Sequence, residues 1–133
     1  MVLVPHLIAL GLYAVATALA SAPFAGLRSA PRVLRLGVPL LGLAAHVIGV
    51  ARLTSFLGVA PTLSMLALFL VALQVASEGL FRASAVGVFT GPLATGLLGL
   101  ALLIGLAPRG APASERGAWS ILHITVKIGR AHV

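Results

Sequence analysis

The sequence predicts an all-α fold, a polytopic transmembrane helical bundle of four spans plus the start of a fifth, and three observations predict it. Of its 133 residues 60% are hydrophobic and only 8% charged, and the mean hydropathy is +1.16. A soluble domain carries about a quarter charged residues, and a chain this short cannot enclose so much apolar surface in water. The apolar residues fall in stretches of about 20, the length a helix needs to cross about 30 Å of hydrocarbon. Those stretches show no strict alternation, so a membrane β-barrel is a poor alternative.

The spans are expected at about 2–22, 34–53, 57–77 and 83–106, with a fifth helix starting at 119. Polar breaks separate them: Arg28 to Arg32, then Thr54 and Ser55, then Glu78 to Arg82, then a Pro, Gly and Ser-rich loop from Ala107 to Gly117. Ala18, Leu19 and Ala20 before Ser21 have the small-x-small pattern of a signal-peptide cleavage site. No Lys or Arg precedes the first apolar run, however, and a signal peptide starts basic, so a retained first span is the expectation. The cluster Arg28, Arg32 and Arg35 is expected to stay in the cytoplasm, which puts the N-terminus outside.

Residues 1–127 are read as the N-terminal part of one transmembrane domain. Residues 128–133, Ile-Gly-Arg-Ala-His-Val, look like a translated sequencing adapter, hence a non-native tail on a fragment. The physical reading agrees: the helix that starts at Trp119 meets Lys127 and Arg130 after about two turns, and a span cannot end there without a large polar penalty. His132 and Arg130 are therefore set aside as functional candidates.

The formal charge of +7 comes from nine basic residues scattered singly between apolar stretches, with no aromatic-rich basic face, so nucleic acid is not an expected partner. Membrane lipid is. The absence of cysteine excludes disulfides, thiolate metal sites and Cys-x-x-Cys-His haem attachment. No catalytic motif is visible: there are no paired intramembrane carboxylates, no phosphate loop and no Ser, His, Asp set. Glu78 and Arg82, one turn apart, read as a surface ion pair. Gly87 and Gly91 read as a small-xxx-small packing face, followed by a kink at Pro92.

Three histidines remain as candidates. His46 lies within the second span, about 18 Å from Leu34, in the outer half of the bilayer. Gly42 and Gly49 share its face and leave a recess beside the imidazole that would accept a flat ligand. Equally open is a packing role, in which the glycines admit a neighbouring helix and His46 bonds across to a backbone carbonyl. His123 stands early in the fifth helix with Trp119 one turn before it; a Trp at that depth is more often an interfacial anchor than a ligand platform. His6 reads as a headgroup-level residue. All three fall on one side of the membrane, and two neutral imidazoles facing a shared cleft are what axial ligation of haem iron requires.

The order of features resembles the cytochrome c assembly proteins, specifically the HemX and CcsA-like inner-membrane branch. The likeness rests on a first span and short basic loop, a second span with "LLGLAAHVIGVARL", a third with "TLSMLALFLVALQVASEGL", a fourth ending near Pro108, and then "GAWSILHI". None of these motifs is individually specific. The resemblance implies a multi-pass protein of the bacterial inner membrane that binds or presents haem at the outer face during cytochrome c maturation. The haem would be b-type and non-covalent, with His46 and His123 as ligands or ligand supports and Trp119 beside them. Other maturation proteins and apocytochrome c are the implied partners. The family's tryptophan-rich haem segment is absent from this chain, so covalent attachment by a haem lyase or synthetase is left open. The rival reading is a cofactor-free membrane transporter or structural subunit in which His46 only packs.

Overall fold

In a computed structural model the described residues are 2–53, 56–83 and 85–106. Four helices account for nearly all of them: α1 Leu3–Ser21, α2 Arg32–Ala51, α3 Val59–Phe81 and α4 Val86–Ile104. Each is long and apolar enough to cross a membrane. The described residues are all-helical and the protein multi-pass, as the composition and run lengths imply.

The boundaries follow local chemistry. A 3-10 turn, Ala22–Ala25, closes α1, and Gly26 takes the left-handed φ of 73° that a residue with a Cβ adopts reluctantly. Pro31 caps α2, its carbonyl accepting from the N–H groups of Leu34 and Arg35, so this helix starts two residues before the expected 34. The polar break expected at Glu78 is absent. Instead α3 runs on to Phe81 and stops at Arg82, which is held at φ 54° with the N–H of Ala83 donating to the Ser77 carbonyl. Helix can continue through Glu78 because Arg35 of α2 neutralises it, 3.0 Å away. Pro92 sits inside a continuous α4.

The helices form a ring in which α1 touches α2 and α4, and α3 touches α2 and α4. Short connections make sequence neighbours antiparallel. The centre of the ring is filled by Ala9, Tyr13, Ala67, Val71, Ala94 and Leu98, and a second cluster of Leu53, Ala60, Ala101 and Leu106 closes the end that holds the start of α1. Small residues dominate because helices in lipid gain nothing from hiding apolar groups and associate through close backbone approach. The expected Gly87 and Gly91 packing face is of this kind: a Cβ on Gly87 would meet Gln74 and Ala20, and one on Gly91 would meet Thr17.

Large apolar side chains point outward all round the bundle. Phe69, Phe89 and Leu103 are 65%, 78% and 84% exposed. A water-soluble bundle of this size would not leave apolar patches so extensive, whereas lipid is their natural solvent. Among the described residues charge is distributed unevenly between the two ends. Arg28, Arg32, Arg35 and Arg82 lie at or near the end formed by the α1–α2 connection, and Arg52 lies at the other.

Candidate functional site

Two polar layers interrupt the apolar interior. The upper one lies toward the start of α1 and is built on the α1–α2 seam. His6 and Tyr13 are two helical turns apart on α1, as are Gly42 and Gly49 on α2, and the antiparallel pairing sets each ring against one glycine. A Cβ on Gly49 would stand 2.6 Å from His6 Cε1, and one on Gly42 would stand 2.8 Å from Tyr13 Cε1. The recess expected to accept a flat ligand is therefore occupied by the chain's own aromatic rings.

His46 sits between the two glycines, fully buried. Its Nδ1 is 2.9 Å from the Tyr13 hydroxyl and its Nε2 is 2.8 Å from the Ser64 hydroxyl of α3. A neutral imidazole has one donor and one acceptor nitrogen, and each hydroxyl can take either part, so both ring nitrogens are satisfied. The cross-helix partner is thus a pair of hydroxyls rather than the backbone carbonyl of the packing reading. In this arrangement His46 has no nitrogen in reserve for an iron.

His6, near the start of α1, is fully buried within the bundle, because its ring fills the notch at Gly49. Its Nδ1 lies 2.8 Å from the Val2 carbonyl. A carbonyl only accepts, so Nδ1 bears a proton, and in the neutral ring Nε2 carries a lone pair. That atom is buried with no hydrogen-bond partner among the described residues. The His6 and His46 rings meet edge to face, with centroids 5.3 Å apart.

The lower layer lies toward the arginine-rich end. Thr17 donates to the Tyr13 carbonyl at 2.8 Å and approaches the Thr95 hydroxyl at 3.4 Å, and Thr90 reaches Gln74 Oε1 at 3.3 Å. Below them Arg35 and Glu78 form an ion pair, with side chains 24% and 7% exposed. This corrects the expected surface pair of Glu78 with Arg82. Arg82 is exposed, while Glu78 faces the interior across from Arg35. The pair is in Coulombic contact without aligned hydrogen bonding, for Glu78 Oε1 and Arg35 Nε are both buried without such a partner. They line a pocket of about 10 Å³ with Gln74 and Gly87, about the space one water requires.

Sequence reasoning missed Tyr13, Ser64 and Arg35 as members of these layers. A signal existed for the first: the lone tyrosine stands seven residues after His6 in an otherwise apolar helix. Ser64 and Arg35 carried none, since their partners come from other helices. His123 and Trp119 lie outside the described residues. Among the described residues no group of three or more His, Cys, Asp or Glu is placed to hold a metal ion.

For haem the donor set fits in part only. The described helices leave no slot between the two imidazoles, and His46 is saturated, which leaves His6 Nε2 as the one unengaged imidazole nitrogen among them. Comparison with protein-family models, with curated proteins and with solved structures gives no match for this chain.

Proposed function

We propose that this multi-pass protein handles haem in cytochrome c biogenesis, binding or presenting it at the outer face of a bacterial inner membrane. The observation that carries the reading is the buried imidazole pair with an unpartnered His6 Nε2. An unsatisfied polar atom in an apolar interior costs about 1–3 kcal/mol, so a group that takes that lone pair would be bound with gain. The sequence resemblance supports the same reading. So does the arginine distribution, since the positive-inside rule puts the arginine-rich end in the cytoplasm and the histidine layer outside.

Within this reading the roles divide. His6 offers a nitrogen, His123 is the candidate for a second one, Trp119 stands beside it, and His46 is a support that fixes the α1–α2–α3 packing through Tyr13 and Ser64. Haem, when bound, would supply an iron that takes imidazole nitrogen. The implied partners are other maturation proteins and apocytochrome c.

The test is the Soret absorbance and haem content of the protein purified from haem-replete cells. The expected result is a bound haem that His6→Ala and His123→Ala each reduce, with His46→Ala acting through stability. A protein with no Soret band, or one whose band survives both substitutions, overturns the proposal. The second reading, a cofactor-free transporter or structural subunit, is favoured by one observation: both His46 nitrogens are already satisfied within the bundle.

A further inference from the structure

At the arginine-rich end a groove of about 270 Å³ opens beside the α1–α2 connection. Its walls include Leu19, Pro23 and Phe24, and its polar edge is Ser29 and Arg35. Arg35 donates to the Ser29 hydroxyl at 3.1 Å, which ties the connection to the top of the ion pair. Arg28 and Arg32 flank the same segment and are both exposed. Arg32 donates to the Gly79 carbonyl at 3.0 Å, so the connection is held against the end of α3.

The charge balance here is one-sided. Arg28, Arg32, Arg35 and Arg82 lie at or near this end of the bundle with a single carboxylate, Glu78, the only acidic side chain among the described residues. Arg35 is neutralised by Glu78, and among the described residues no second carboxylate is present for Arg28, Arg32 and Arg82. An apolar trough edged by a hydroxyl and a guanidinium, beside a connection that carries the exposed Arg28 and Arg32, at the rim of a membrane-crossing bundle, matches one chemistry: an acyl chain joined to an anionic head.

We propose that this groove is a binding site for an anionic phospholipid, with the phosphate among Arg28, Arg32 and Ser29 and an acyl chain along Leu19, Pro23 and Phe24. The site is independent of the haem reading, since it lies at the opposite end of the bundle from His6 and His46. Guanidinium groups suit phosphate because their forked donors match its oxygens. An arginine near an anionic surface strengthens association about fivefold.

The experiment measures retention of phosphatidylglycerol and of phosphatidylcholine with the same chains by native mass spectrometry of the detergent-solubilised full chain. Phosphatidylglycerol is expected to be retained preferentially, and Arg28→Gln with Arg32→Gln is expected to reduce that preference by up to about 30-fold. Both side chains are exposed and outside the Arg35–Glu78 pair. Because Arg32→Gln also removes the bond to the Gly79 carbonyl, Arg28→Gln alone is the control for folding and is expected to reduce the preference about fivefold. Phe24→Ser, at a wall residue 73% exposed, is expected to weaken retention of the same lipid while leaving the charge intact. Equal retention of the two lipids overturns the proposal. So does an unchanged Phe24→Ser protein, which would reduce the effect to diffuse surface attraction. Displacement of the lipid by millimolar inorganic phosphate would show that the acyl groove contributes nothing, and likewise overturns it.

Discussion

Placing an alanine at Gly42 tests the closeness of the α1–α2 seam. The added Cβ would lie 2.8 Å from Tyr13 Cε1 and 2.9 Å from Cδ1, about 0.6 Å inside the 3.4 Å at which ordinary contact begins. Tyr13 is 1% exposed and its hydroxyl is bonded to His46, so the ring cannot swing aside freely. Overpacking of this kind costs about 1–3 kcal/mol. Replacing glycine by alanine inside a helix returns about 1 kcal/mol of propensity, so the net expected loss is up to about 2 kcal/mol. The control is Gly11→Ala on α1, where nothing lies within 4 Å of the new Cβ. That change is expected to stabilise by up to about 1 kcal/mol. Unfolding in mixed detergent and dodecyl sulfate micelles, followed by helical circular dichroism, measures both. A double-mutant cycle with Tyr13→Leu assigns the clash, because the Gly42→Ala cost should largely vanish once the ring is gone. If Gly42→Ala is as stable as Gly11→Ala, the two helices do not approach as closely as described, and the filled recess beside His46 is wrong with them.

The same unfolding assay carries the other predictions. Glu78→Gln leaves Arg35 charged and partly buried, with an expected loss approaching about 3 kcal/mol, the lower end for broken buried pairs because Arg35 keeps some solvent access. Arg82→Gln is expected within about 0.5 kcal/mol of wild type, as for an exposed substitution; equal effects at Glu78 and Arg82 would restore the surface-pair reading. Tyr13→Phe and Ser64→Ala each remove one partner of His46 and are expected to cost about 0.6–1.7 kcal/mol, the range of hydrogen bonds between helices in lipid. A neutral result for both would show that water supplies the missing partners, and so that the layer is wet.

The four spans and their rough limits were legible because crossing a bilayer constrains length and composition directly, while the fifth helix expected from 119 lies outside the described residues. The apolar runs stand out whatever packs against them, and observed and expected limits differ by four residues at most. The largest departure, α3 running to Phe81 instead of Ser77, has an identifiable cause. Glu78 looked like a break because its partner was sought on its own helix, at Arg82, whereas the partner is Arg35 on α2. The glycine spacing around His46 correctly marked a close approach between helices, but could not say what fills it. That depended on His6 and Tyr13 of α1 arriving at the same levels as Gly49 and Gly42. Sequence periodicity shows which residues share a face, and only the packing shows which faces meet.

The polar side chains are not spread evenly over the four seams, and their placement follows from how the seams are built. The α1–α2 seam is closed by rings set against glycine, and α4 is fastened to α1 and α3 through Gly91 and Gly87. The α2–α3 seam is the thinnest of the four and has no such close approach. It is bridged by polar groups at two levels, His46 to Ser64 and Arg35 to Glu78, about 16 Å apart along α2 by the helical rise. Polar bridges in lipid hold best when fully formed, because a separated partner finds no water to replace it. Separation of α2 from α3 would therefore meet its resistance in these bridges rather than in shape, and at the Ser64 level it would leave both His46 Nε2 and the Ser64 hydroxyl without partners. His46 thus ties three helices at one level, holding α1 through Tyr13 and α3 through Ser64.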